Sequence, residues 1–174
     1  MTSEVAQPAQ PTIATDGIRF EFAEHNCFAC GTLNANGLGL VLHLEPQRCW
    51  TELELDRRFE GWEGIAHGGI TTTILDEVMA WSLVESGNWG VTARLAVEFR
   101  RPVPIRTPIR AEGWITRSRR RVVDTQARIV DMGSGAELAT ATGVYVAADE
   151  ARKLVIQERY GFRRLDGAVM GTRP

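Results

Sequence analysis

The chain has 174 residues, 44% of them hydrophobic and 24% charged, with a formal net charge of -2. That length suits one domain with a sizeable core, and the near-neutral balance excludes a protein that works through a large positive field on nucleic acid. No apolar run reaches the ~18 residues of a membrane span, and three cysteines, Cys27, Cys30 and Cys49, are too few for a disulfide framework.

In chain order, residues 1–16 are rich in Ala, Gln, Pro and Thr and read as a flexible arm. They carry no charged stretch followed by an apolar one, so no signal peptide is expected and the cytoplasm is the default compartment. Asp16 to Glu24 reads as a short helix or extended stretch, and Cys27 to Gly37 as a loop rich in glycine and asparagine. Leu38, Leu40, Leu42 and Leu44 alternate at strand period, Pro46-Gln47-Arg48 marks a turn, and Trp50, Leu53 and Leu55 carry a second strand. A loop over 56–66 follows. Ile70, Ile74, Val78 and Trp81, widened by Leu75 and Met79, then predict one long buried helix from about 68 to 86.

Four more strands are expected, at 91–101, 109–117, 121–130 and 137–147, and a helix near 150–158 in a C-terminal tail of 149–174. A lone apolar helix among strands predicts an α+β fold, with an antiparallel sheet of about six strands wrapped round one central helix. The domain proper is expected over 17–148. Sheet edges of this kind are commonly covered by a second subunit, so dimerisation through sheet edges is expected.

The informative stretch is His67-Gly68-Gly69 leading into the helix, with Asp76 inside it. Backbone N–H groups at a helix start have no intrahelical partner, and glycines there let a ligand oxygen come close, which suits an oxyanion site. A carboxylate inside an apolar helix must be paired, shifted in pKa or used. Gly69, Thr72, Thr73, Asp76 and Ala80 make one strip of small and polar residues along the helix. Such a strip walls a pocket or forms a helix contact, and the sequence leaves both readings open. Asp76 lies eight residues after Gly68, about 12 Å along a helix axis. One ligand carbonyl cannot meet both groups of one chain, so a second, antiparallel copy is expected to complete the site.

This pattern resembles the hotdog thioesterases, in particular the phenylacetate-pathway (PaaI-like) group. The resemblance covers roughly 27–148 and rests on His67-Gly68-Gly69 with Asp76 nine residues after the histidine. Val97-Glu-Phe-Arg-Arg-Pro102, Asp131-Met-Gly-Ser-Gly135, Ala139-Thr-Ala-Thr-Gly143 and the Cys27-Phe-Ala-Cys-Gly loop follow the same order. It implies a homodimer or homotetramer that hydrolyses acyl-CoA. Asp76 would activate water or attack, Gly68 and Gly69 would donate N–H to the carbonyl, His67 would shape the loop, and Thr92 would hold the water. Many members carry an Asn where this chain has Gly61. That departure keeps in view a hotdog module that binds acyl-CoA without turnover; a hotdog hydratase or dehydratase is a third alternative, although the Asp-x-x-x-x-His arrangement of the hydratases is not evident.

Thr72 and Thr73 are candidate pocket residues, and Arg100, Arg101, Arg119, Arg120 and Arg121 are candidates for the phosphates of coenzyme A. Phe59, Trp62, Trp81 and Trp89 are candidates for the acyl pocket or for core. No cofactor is expected besides coenzyme A as part of the substrate. Cys27-x-x-Cys30 beside His25, with Cys49 or His43 to complete it, is the one weak zinc signal, and a loop with buried thiols is the reading taken. Glu77 points about 100° away from Asp76 and is expected to form a salt bridge.

Overall fold

The computed structural model describes residues 12–13 and 19–164. Two short strands, β1 (Thr12–Ile13) and β2 (Arg19–Glu21), lead into the Cys27 loop. Then come β3 (His43–Glu45), β4 (Arg48–Glu54), a single 3-10 turn at Arg57–Phe59, and the small β5 (Glu60–Trp62) and β6 (Ile65–Ala66) pair. Helix α1 spans Gly68–Ser82, and four long strands follow: β7 (Gly90–Phe99), β8 (Pro108–Arg119), β9 (Val122–Asp131) and β10 (Glu137–Ala147). Helix α2 (Glu150–Arg159) and β11 (Arg163–Arg164), which pairs with β2, end the described chain.

The main sheet has six antiparallel strands in the order β3-β4-β8-β9-β10-β7, so β7, the strand after the helix, crosses to the far edge. Helix α1 lies against its inner face. Thr71, Ile74, Leu75, Val78, Met79 and Ser82 are its buried residues, spaced as one stripe of a 3.6-residue helix. Ile70 and Trp81, expected in that stripe, sit half-buried at its margins. Ile74, Leu75, Val78 and Met79 are fully buried, each stabilising the fold by about 1.5–3 kcal/mol as an upper figure.

Small residues let the helix lie close to the sheet. Ala111, Ala127, Ala139 and Ala141 point inward and are buried. At Gly113 a Cβ would stand 2.7 Å from the backbone of Val78 and Met79, so helix and strand meet main chain to main chain.

Two expectations shift. The helix ends at Ser82, four residues early, because the backbone tightens into turns. Leu83 N–H bonds to Ala80 O and Gly87 N–H to Val84 O, while Gly87 takes a left-handed φ of 71°. The first long strand contracts to His43–Glu45. Leu40, Leu42 and Leu44 are buried as the alternation implies, but only the last part of that segment pairs with β4. The proposed 1–16 arm lies outside the described residues apart from Thr12 and Ile13.

Candidate active site

Asp76 sits in the middle of α1, half-buried, on the helix side that turns toward β7 and β10. Its Oδ1 accepts two hydrogen bonds: from Thr92 Oγ1 at 2.9 Å and from the Tyr145 hydroxyl at 2.6 Å. The same hydroxyl lies 3.0 Å from the Asp76 carbonyl oxygen. Thr92 is on β7 and Tyr145 directly opposite it on β10. The sheet therefore holds one carboxylate oxygen in place, while Oδ2 has no partner among the described residues. Burial, followed by the bond to Asp76, pushes the pKa of Tyr145 well above its ordinary value. The tyrosine thus stays a donor at neutral pH.

Tyr145 was missed in the sequence. It is a large polar-tipped residue among Ala, Thr, Gly and Val on an inward-facing strand, and a buried phenol usually finds a partner. That signal was available, but only the register of β7 and β10 identifies the partner.

At the start of α1, His67 is the N-cap. Its Nδ1 accepts the Gly69 N–H at 2.9 Å, and its own N–H donates to Phe59 O at 2.8 Å. The histidine therefore braces the loop, and the Gly69 amide is already engaged. Gly68 N–H has no acceptor among the described residues and is the open donor. Gly68 lines a groove with Thr71, Phe99, Arg100, Arg101 and Val103, of about 370 Å³. Thr72 and Thr73 turn their hydroxyls back onto the Gly68 and Gly69 carbonyls, at 2.8 and 2.9 Å.

Gly61 has a steric reason to be glycine. A Cβ there would stand 2.9 Å from the His67 Cα. A side chain at this position would push the loop that presents Gly68.

The arginines separate into two groups. Arg100 and Arg101 belong to the Gly68 groove, although Arg100 is also bonded to Glu98 and Glu137 at 3.1 and 3.0 Å. Arg119 pairs with Val122, which pairs with Val146 and then Val91, so it lies at the opposite end of the sheet, beside the β8–β9 turn containing Arg120. Arg121 donates to Ala147 O at 2.8 Å. One chain does not bring these groups together.

Glu77 corrects the sequence reading, because it is in none of the described ion pairs. Its Oε1 accepts from Trp81 Nε1 at 2.8 Å and faces Cys27 Sγ at 4.0 Å. Burial pushes its carboxyl up to about 7. Trp81 and Trp89 line the cavity on this Cys27 side of the helix. Phe59 is core, and Trp62 is 82% exposed.

The family model of the thioesterase superfamily matches residues 63–136, the span holding the His67 loop, α1, β7, β8 and β9. Among solved structures, a thioesterase superfamily protein superposes with a TM-score of 0.64 at 25% identity, covering 70% of this chain and 60% of its own. This chain thus spans less than two thirds of that relative. A mutant of the phenylacetic acid degradation protein PaaI from Thermus thermophilus gives 0.59 at 22%, covering 64% of this chain and 95% of its own. A hypothetical thioesterase from Streptococcus pneumoniae, solved with coenzyme A, gives 0.58 at 16%, covering 60% and 81%. No curated protein matches the sequence.

Proposed function

We propose that this chain, a hotdog-fold protein of the PaaI-like thioesterase kind, hydrolyses an acyl thioester of coenzyme A in a site formed between two copies. The observation that carries the reading is Asp76, anchored at Oδ1 by Thr92 and Tyr145 and free at Oδ2. Two donors that fix one oxygen orient the other, and an oriented carboxylate takes a proton from a water set against a carbonyl. The carbonyl would rest on the Gly68 N–H at the positive end of α1, where developing negative charge is stabilised. The leaving thiolate, with a pKa near the ~8.5 of an ordinary thiol, needs little protonation.

Asp76 and Gly68 of one helix are about 12 Å apart along its axis. The site therefore needs Asp76 from one copy and Gly68 from the other. Coenzyme A phosphates would reach the Arg100 and Arg101 side of the groove, next to Gly68. That one related structure holds coenzyme A supports the ligand class.

A panel of acyl-CoAs of graded length, followed by thiol release, tests the reading. Turnover is expected on at least one of them, with Asp76→Asn lowering kcat by at least about 100-fold while the protein stays folded. Full activity in that variant would remove Asp76 from the chemistry. A second reading rests on Gly61, which leaves no side chain there to help polarise the carbonyl: the protein binds acyl-CoA without turning it over. Saturable acyl-CoA binding with no thiol release would select it.

A further inference from the structure

About 100° round α1 from Asp76, three reactive side chains converge. Cys27 Sγ, Cys30 Sγ and a Glu77 carboxylate oxygen all lie within 4.8 Å of one another. All three line a cavity of about 690 Å³ that also holds His25, Trp81 and Tyr160. They come from two elements fifty residues apart in sequence, so the convergence is a product of the fold.

The loop itself is shaped round a sulfur. Gly31 N–H donates to Cys27 O at 2.9 Å, closing a turn over Cys27-Phe-Ala-Cys30. A Cβ on Gly31 would stand 2.4 Å from Cys27 N and from His25 O, so only glycine fits there. Cys27 Sγ in turn faces a Glu77 carboxylate oxygen at 4.0 Å. The thiolate is the form in which such a sulfur ligates metals.

We propose that Cys27, Cys30 and Glu77 bind a zinc-class divalent cation, with the fourth position open to the cavity and filled by water. Two thiolates and a carboxylate are donors that zinc accepts, and three protein ligands with one open position is a tetrahedral arrangement it adopts. Donors about 2.3 Å from a tetrahedral metal stand about 3.8 Å apart. Closing the cluster therefore needs only a contraction of about an ångström, within reach of side-chain torsions. The cation would also answer a charge problem, since Glu77 is a half-buried carboxylate that is in none of the described ion pairs. Cys49 and His43 are not in the group. Cys49 is fully buried in β4, and His43 stacks on Trp50 with ring centroids 3.8 Å apart. Binding releases the thiol protons and ties the Cys27 loop to α1.

The full chain, reduced and stripped with chelator, is titrated with cobalt(II) and then zinc(II). The expected result is one equivalent of cobalt per chain, with thiolate-to-cobalt charge-transfer absorption that zinc abolishes, and a zinc-dependent rise in melting temperature. Cys27→Ser and Cys30→Ser should remove the absorption. Glu77→Gln, which can still accept from Trp81, should weaken affinity by at least about 10-fold. A folded, reduced chain that shows no charge-transfer band would overturn the proposal, as would unchanged affinity in Cys27→Ser and Glu77→Gln. A Cys27–Cys30 disulfide in protein purified without oxidant would also overturn it. Thioester hydrolysis is not part of this readout, so the two proposals fail separately.

Discussion

Tyr145 and Thr92 make Asp76 more than an acid in a helix. Together they fix Oδ1 and define which oxygen faces the open side. Tyr145→Phe should cost about 1–2 kcal/mol of folding stability through the lost buried hydrogen bond. It should also lower kcat by about tenfold with little change in KM, since the carboxylate loses a positioning contact. The tyrosine gives a pH signature as well. Its pKa is raised in the fold, while in the unfolded chain it ionises near 10. Its contribution is therefore fully present below about pH 10 and is lost as pH rises toward the folded value. Denaturation midpoints across ~pH 9–11 should fall more steeply for the natural chain than for Tyr145→Phe. Equal slopes would show that the hydroxyl does not carry this linkage. Two arginines, in contrast, have a structural partner: Arg48 and Arg128 both bond to Glu112, which is 5% exposed.

At the scale of elements, the helix is placed by how closely the sheet lets it approach. Gly113→Ala puts a methyl 2.7 Å from the α1 backbone at Val78 and Met79. No flexible side chain is available to yield. The substitution should destabilise by about 1–3 kcal/mol, in the range of overpacked cores, measurable by chemical denaturation. It should also disturb activity, because α1 carries Asp76 and its N-terminus presents Gly68. An unchanged denaturation midpoint would mean that helix and sheet separate more freely than the contact implies. The early end of α1 has a comparable local cause. Ser82 and Ser86 bond back to the Met79 and Leu83 carbonyls, a competition with helical bonding that short hydroxyl side chains commonly set up.

At the scale of the whole molecule, β7 is an edge strand that exposes apolar groups. Val91 is 71% exposed and Phe99 57%, and among the described residues only β10 pairs with the strand. An uncovered edge of this kind invites pairing with another chain. The Asp76 strip on the neighbouring helix is likewise accessible. Sedimentation analysis should therefore find a dimer or a multiple of it, and Val91→Glu on β7 should shift the population toward monomer and reduce activity in parallel. An active monomer would contradict a site formed between two copies.

The sequence by itself determined the class of fold and the segment that carries the proposed site. Period-two alternation and one 3.6-residue stripe are written into the order of apolar residues, and they specify strands round a single helix whatever the remaining contacts. The His67-Gly68-Gly69 start and Asp76 are likewise local, lying within one segment of chain. Tertiary structure alone decided the partners. Tyr145 meets Asp76 across 69 residues, and Glu77 meets Cys27 across 50. Gly61 is set by a close approach to His67. Such contacts depend on strand register and on the depth at which the helix sits, and neither quantity is encoded in any window short enough to read along the chain.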